Sequence, residues 1–128
     1  MKHLSCISMA SLLIHITAGP NDPTRAALGF LVAKTAAEEG HEVKMFLAGD
    51  AVQLIRDSVL DNLVGLGTGN IREHYGTIVQ KKVTLYLSGM SCASRGITDK
   101  DLENKPVEKA MPNVLVQLTM DADKVLTY

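Results

Sequence analysis

Short apolar runs alternate along this chain with longer stretches in which apolar residues recur every three or four positions. The runs are typical of strands buried on both faces, and they predict strands at 12–16, 43–47 and 83–87. The recurring positions predict helices over about 23–39 and 71–79. Strands separated by helices need crossover connections, so the pattern predicts a parallel sheet with helices on both faces.

Residues with strong positional preferences mark the ends of the predicted helices. Asp22 can cap the first helix and Pro23 fits its first position, while Gly40 suits the left-handed conformation that ends many helices. Asn70, followed three residues later by Glu73, resembles a capping box. The boundaries of both helices therefore agree with their apolar periodicity.

The stretch between the second and third strands holds a further helix and a glycine-rich segment. The helix is predicted to open after Asp50, with Val52, Ile55 and Val59 as its apolar stripe. The segment GLGTGN at 65–70 is predicted to be a loop. Its glycines lack the GxGxxG spacing and the strong preceding strand of a phosphate-binding loop.

The C-terminal pattern fits two structures. Apolar residues between 114 and 122 fit a helix, although the alternation at 114, 116 and 118 also fits a strand. Pro112 at a first helical position favours the helix, and strands are then predicted at 107–110 and 124–128. With no linker or repeat, the pattern predicts one α/β domain over residues 1–128.

Composition narrows the classes of function. The chain has 13 basic and 14 acidic residues, a net charge of -1 and 4% aromatic residues, so nothing in it favours nucleic acid as a partner. Its apolar stretches fall short of the roughly 20 residues that span a bilayer, and no membrane partner is expected. Two cysteines without a framework of pairs favour the cytoplasm, where thiols stay reduced.

The first residues, MKHLSCISMASLLIHITAG, superficially suggest a secretory signal. They lack a dense apolar region and an A-x-A cleavage site. Cleavage near Gly19 would also remove the first predicted strand. The signal is therefore not expected.

Ligands and reacting groups gather at the carboxyl ends of the strands in such a sheet. Three predicted loops lie at that edge, at 19–25, 48–51 and 88–95. The third loop holds Cys92. A short helix starting near Ser91 would place the thiol at a helix N-terminus, and Arg95 on the same face would add a positive charge. Both effects lower a cysteine pKa, so the pattern predicts a thiol that is nucleophilic at neutral pH.

Each of these residues also has a structural interpretation. Free cysteine is among the most buried residue types and often only fills space, which is the favoured interpretation of Cys6. Arg95 alone would often be a solvated surface charge. Asn21, Asp22 and Arg25, in the loop after the first strand, are candidate neighbours of the thiol, although Asp22 also suits a helix cap.

Other chemistries fit the sequence less well. Residues 89–93 resemble a hydrolase nucleophile turn with Ser91 as the nucleophile, but the last histidine, His74, precedes it, contrary to the hydrolase order. The four histidines show no metal-ligand spacing, so no metal is expected. A phosphoacceptor domain of the receiver type would need an aspartate where Ser88 and Gly89 stand.

Three segments together resemble a known family. They are CASRGIT at 92–98, LVQLTMDADKVLTY at the C-terminus, and GPNDPTRAALGFLVAKTAAEEGHEVKMFLAGDAV at 19–52. The chain resembles the DsrE/DsrF-like proteins in these segments, particularly the small YchN-type branch. The resemblance implies a three-layer α/β/α fold with a mostly parallel five-stranded sheet, and it implies a helix at 113–122.

The resemblance also implies a role in cytoplasmic sulfur transfer. The family's cysteine carries sulfane sulfur as a persulfide between donor and acceptor proteins, and by position that cysteine is Cys92. Arg95 and Gly96 complete its motif, with Ser91 and Ser94 as adjacent candidate binding residues. A homotrimer or homohexamer is implied, and no cofactor is expected.

One departure from the family pattern concerns Gly89. Some YchN-type relatives have a second cysteine at this position, three residues before the motif cysteine, so the sequence favours a carrier with one cysteine. Cys6 could act with Cys92 only if the fold brought the N-terminus across the sheet. The alternative function is a non-catalytic assembly subunit or small-ligand-binding module of the same fold, in which Cys92 is not used.

Overall fold

The structure is a computed structural model that describes residues 9–128. Its strands are β1 (Ser11–Ile16), β2 (Glu42–Leu47), β3 (Val64–Gly65), β4 (Gly69–Asn70), β5 (Thr84–Ser88), β6 (Val107–Ala110) and β7 (Lys124–Thr127). Its helices are α1 (Pro23–Glu38), a 3₁₀ helix (Gly49–Ile55), α2 (Asp57–Leu60), α3 (Ile71–Gln80), α4 (Gly89–Ser94) and α5 (Pro112–Asp121). Five strands form a parallel sheet in the order β6-β5-β2-β1-β7.

The sheet lies between two layers of helices. Apolar side chains of α1 and α3 form the main core with one face of the sheet, including Phe30, Ile71 and Ile78. On the other face, Leu118 of α5 packs against Leu13 and Phe46. The prediction of a three-layer α/β/α fold with a parallel five-stranded sheet is therefore confirmed, and residues 112–121 form a helix rather than a strand.

The helix boundaries follow from the residues that mark them. The Asp22 side chain caps α1 by accepting a hydrogen bond from the Arg25 N–H, and Gly40 follows the helix with φ at +93°. Asn70 caps α3 by accepting from the N–H groups of Arg72 and Glu73, at 2.8 and 3.3 Å. These caps agree with the sequence prediction.

The region between β2 and α3 differs from its prediction. The helix expected after Asp50 is interrupted at Arg56, whose ψ of 138° separates the 3₁₀ helix from α2. Residues three positions apart share a face of a 3₁₀ helix, and the fully buried residues Ala51, Val52, Leu54 and Ile55 have this spacing.

The segment predicted to be a loop at 65–70 forms a small antiparallel hairpin of β3 and β4. Gly67 and Gly69 have positive φ, at +77° and +86°, which the tight turn requires. Glycine at these two positions is therefore explained by the geometry of the turn.

Candidate functional site

Two of the three predicted loops are joined by hydrogen bonds at the carboxyl edge of the sheet, and the third lies against them. The Gly49 N–H donates to Ser91 Oγ at 2.8 Å, and Arg95 Nε donates to Asp50 Oδ1 at 3.0 Å. Gly19 lies so close to Asp50 that an added Cβ would be 2.6 Å from its carbonyl oxygen. The three loops therefore lie together at the carboxyl edge of the sheet, as the sequence predicted.

Cys92 lies on α4, which follows β5 directly. Ser88 caps this helix by accepting a hydrogen bond from the Ser91 N–H at 3.1 Å. Because the helix begins at Gly89, two residues before the predicted start, Cys92 is its fourth residue and not its second. The thiol faces the core and its residue is only 1% exposed.

Burial has the largest effect on the pKa of Cys92. Loss of solvent raises the pKa of the Cys92 thiol above its ordinary value, and this effect outweighs the positive charges of Lys109 and Arg95, which lower it. The sequence-based prediction of a lowered pKa is therefore wrong for this structure. Its premise was a thiol at an exposed helix start, whereas the helix places the thiol in the core.

Arg95 is engaged by its own surroundings. Besides the ion pair with Asp50, its Nη1 donates to the Ser91 carbonyl oxygen at 3.3 Å and to Ser94 Oγ at 2.9 Å. A cation that binds carbonyl oxygens at the end of a helix is favourably placed. Arg95 thus fastens the C-terminal end of α4 to the 3₁₀ helix, and it is not merely a solvated charge.

Gly96 and Ile97 give the end of α4 its shape. The Cys92 carbonyl oxygen accepts hydrogen bonds from the N–H groups of Arg95 and Ile97, at 3.2 and 3.0 Å. The bond from Ile97 spans five residues, as in a Schellman motif, and Gly96 takes the left-handed conformation with φ at +67°. The Cys-x-x-Arg-Gly-Ile motif therefore encodes a helix end around the cysteine.

Two of the three candidate residues of the first loop, Asp22 and Arg25, are partners of each other. Arg25 forms an ion pair with Asp22 at 3.4 Å, and Asn21 is exposed. No hydrogen bond or ion pair within residues 9–128 joins these three residues to α4. The helix-cap interpretation of Asp22 is confirmed.

Comparison with known proteins identifies the family. The sequence model of the DsrE/DsrF-like family matches residues 10–128. The chain belongs to the DsrE/DsrF-like family. This family is linked to sulfur relay in general.

Solved structures of similar proteins support the fold. The YchN protein of Escherichia coli superimposes with a TM-score of 0.74 at 25% identity, over 94% of this chain and 100% of that one. A conserved protein of unknown function from Bacteroides thetaiotaomicron gives a TM-score of 0.63 at 16% identity, over 93% and 95% of the two chains. The second likeness concerns the fold alone. Curated protein sequences include no significant match.

Sequence reasoning missed two groups near the cysteine of this DsrE/DsrF-like chain. Asp50 was considered only as a helix start, although its loop was placed at the correct edge. Lys109 lies on β6, paired in register with Leu87 of β5, which is the strand that leads to α4. Its proximity depends on the strand order, which the hydrophobic pattern does not reveal.

The described residues provide neither a metal site nor a membrane-spanning helix. Within residues 9–128, no group of three or more His, Cys, Asp or Glu side chains is placed to hold a metal ion. The same residues include no helix that is long and apolar enough to cross a bilayer. Cys6 and His3 lie outside the described residues.

Proposed function

We propose that this protein carries sulfane sulfur as a persulfide on Cys92 and exchanges it with donor and acceptor proteins in the cytoplasm. The observation that carries the proposal is the position of Cys92, at the carboxyl end of β5, inside the helix end that the family motif builds. Cys92 is the free thiol of the described residues. Membership of a family linked to sulfur relay in general supports the proposal.

The proposed exchange is two attacks at sulfur. The Cys92 thiolate attacks the outer sulfur of a donor persulfide, the donor's S–S bond breaks, and the donor leaves as a thiolate with the bonding electron pair. Cys92 then holds the outer sulfur as Cys92–S–S⁻. An acceptor thiolate attacks that sulfur, which restores the Cys92 thiolate. No external oxidant or reductant is needed.

Two cations stand near the sulfur that would carry negative charge. Arg95 and Lys109 both act on the Cys92 thiol in the direction that favours its anion. The same charges favour a persulfide anion. Burial opposes them, so the exchange requires that α4 move far enough for the thiol to meet a partner.

Intact-mass measurement tests the proposal. We expect the wild type to gain mass in steps of one sulfur atom when it is incubated with a polysulfide donor, and to lose it when a thiol reductant is added. Cys92→Ser should gain none, whereas Cys6→Ser should load like the wild type. Loading that survives in Cys92→Ser and disappears in Cys6→Ser would reject Cys92 as the carrier.

A second candidate function is a non-catalytic assembly subunit in which Cys92 is not used. The observation that favours it is the 1% exposure of Cys92, because a buried thiol with a raised pKa also fits a packing role. A subunit of this kind would gain no sulfur in the mass experiment, and Cys92→Ala would change only its stability.

We further propose that the protein assembles as a homotrimer or homohexamer. Strand β7 is a short sheet edge whose residues are all exposed, and it carries one charge. Helix α5 also exposes Val116 and Met120, at 57% and 77%, and Met111 stands exposed immediately before it. Met111 Sδ lies 3.6 Å from where a Cβ on Gly89 would be, so this apolar surface reaches α4. A closed assembly would cover it.

A further inference from the structure

The residues on either side of Cys92 are hydrogen-bonded to one neighbouring element, the 3₁₀ helix. At its start, the Gly49 N–H donates to Ser91 Oγ at 2.8 Å. The next residue, Asp50, accepts from Arg95 Nε at 3.0 Å. Both ends of the short stretch that contains the thiol are therefore attached to the same element.

Arg56 makes a third attachment from the other end of that element. Its Nη2 donates to the Arg95 carbonyl oxygen at 2.8 Å. Its Nε is buried and has no hydrogen-bond partner among residues 9–128. In the loop after α4, the pKa of Asp101 is lowered chiefly by the hydrogen bond that its carboxylate accepts from the Thr98 N–H at 2.9 Å, and to a smaller extent by the Arg56 charge. Arg56 thus acts on the backbone that follows Cys92.

The two sides of this contact differ in how firmly they are held. The 3₁₀ helix is anchored by four fully buried residues, Ala51, Val52, Leu54 and Ile55. Helix α4 has six residues and only Cys92 is buried, while Met90, Ala93 and Ser94 are exposed. A movement that uncovers the thiol would therefore displace α4 and leave the 3₁₀ helix in place. Segments with few buried contacts open most readily.

We infer that residues 49–56 form a clamp that holds α4 in place over the buried Cys92 thiol. Arg56 is the positioning residue at the far end of this clamp. Reagents reach the thiol only when the bonds from this segment to Ser91 and Arg95 are broken. The inference rests on the proposed function for its role in sulfur exchange, because a donor or acceptor protein would need to open the same contacts. Opening itself can be measured without sulfur.

The test measures native-state alkylation of Cys92 by iodoacetamide, followed by intact mass. All variants carry Cys6→Ser, so that Cys92 is the one thiol. We expect Arg56→Gln to react about 2- to 10-fold faster than its parent, which is the range that loss of one hydrogen bond predicts. Ser91→Ala, which removes the bond from Gly49 with little risk to folding, should also react faster. Arg56→Lys should fall between parent and Arg56→Gln, because its amino group can still donate one bond.

Arg25→Gln is the matched control, since it removes an arginine at the same edge that has no bond to α4. It should react at the parent's rate. The charges that lower the pKa of the Cys92 thiol are those of Lys109 and Arg95, so a faster reaction of Arg56→Gln reports opening and not a larger thiolate fraction. Equal rates for Arg56→Gln and its parent, or equal acceleration in Arg25→Gln, would overturn the clamp. So would acceleration that merely parallels a fall in the free energy of global unfolding.

The clamp and the carrier can fail separately. Faster alkylation in Arg56→Gln, with no sulfur gained by the wild type, would support the clamp and reject the carrier. Sulfur gained at Cys92, with alkylation unchanged in both Arg56→Gln and Ser91→Ala, would support the carrier and reject the clamp.

Discussion

The guanidinium of Arg95 binds the carboxylate of Asp50 across the carboxyl edge of the sheet, with 3.0 Å between Nε and Oδ1. The pair joins the helix that carries Cys92 to the loop after β2. The charge nearest the thiol in sequence is therefore partly balanced by a residue 45 positions earlier in the chain. Since the Arg95 charge acts to lower the pKa of the Cys92 thiol, we expect Asp50 to offset part of that effect.

Asp50→Asn tests this balance. Without the carboxylate, the Arg95 charge acts on Cys92 without an opposing charge, and the pKa of the thiol should fall. Titration of the thiolate ultraviolet absorbance in a Cys6→Ser background measures this pKa. Asp22→Asn is the control, because that carboxylate caps α1 and has no bond to α4. An unchanged Cys92 pKa in Asp50→Asn would show that Asp50 does not offset Arg95.

The raised pKa of Cys92 predicts how stability depends on pH. Burial keeps the thiol protonated to a higher pH in the folded state than in the unfolded chain, and the stability that depends on the protonated thiol is fully present below the ordinary thiol pKa of 9.0. That contribution is lost as pH rises through the folded pKa. Urea unfolding should therefore show the stability advantage of wild type over Cys92→Ala shrinking from pH 7 to pH 10.

Tyr75, whose pKa is also raised by burial, is present in both proteins and cancels in this difference. A constant difference between wild type and Cys92→Ala across the same pH range would contradict a raised Cys92 pKa.

Two glycine substitutions should change stability in opposite directions. Gly96→Ala forces a Cβ into a left-handed conformation at φ +67° and should cost about 1–2 kcal/mol in the free energy of unfolding. Gly76 is inside α3, with open space where a Cβ would be, so Gly76→Ala should stabilise by about 0.5–1 kcal/mol. Denaturant unfolding measures both. Equal effects would mean that the turn after Cys92 does not need its glycine.

The proposed assembly predicts a mass well above one chain. Light scattering at micromolar concentration should give a multiple of 13.8 kDa, and Met120→Lys should reduce it by placing a charge in the apolar surface of α5. Leu66→Lys is the matched control, since Leu66 is 90% exposed on the hairpin of β3 and β4. A mass of one chain that is unchanged by dilution would reject the assembly.

Local signals in the sequence were sufficient for most of the fold. The strand at 107–110 and the cap at Asn70 were predicted from residues only a few positions apart, and the structure agrees with both. The break at Arg56 was not predicted, and the hydrogen bond that the Arg56 side chain makes reaches a carbonyl oxygen 39 positions later in the chain, which local patterns do not reveal.

The candidate site shows the same division. Its edge of the sheet follows from the order of strands and helices, and the sequence placed Cys92 there. The burial of Cys92 depends on how α4 packs after a start at Gly89, and the partner of Arg95 depends on a distant loop. Nothing close to Cys92 in the sequence distinguishes an exposed thiol from a buried one.

The pairing of β1 has a consequence for the order of folding. On one side β1 pairs with β2, its neighbour in sequence, but on the other side it pairs with β7, and the Ser11 N–H donates to Asp123 across 112 positions. Closing so long a loop is entropically costly, so this pairing should form late. Until β7 pairs, β1 is an edge strand whose unpaired backbone groups are open to other chains. The yield of refolded protein should therefore fall as protein concentration rises, because chains that have not yet paired β7 can associate through β1.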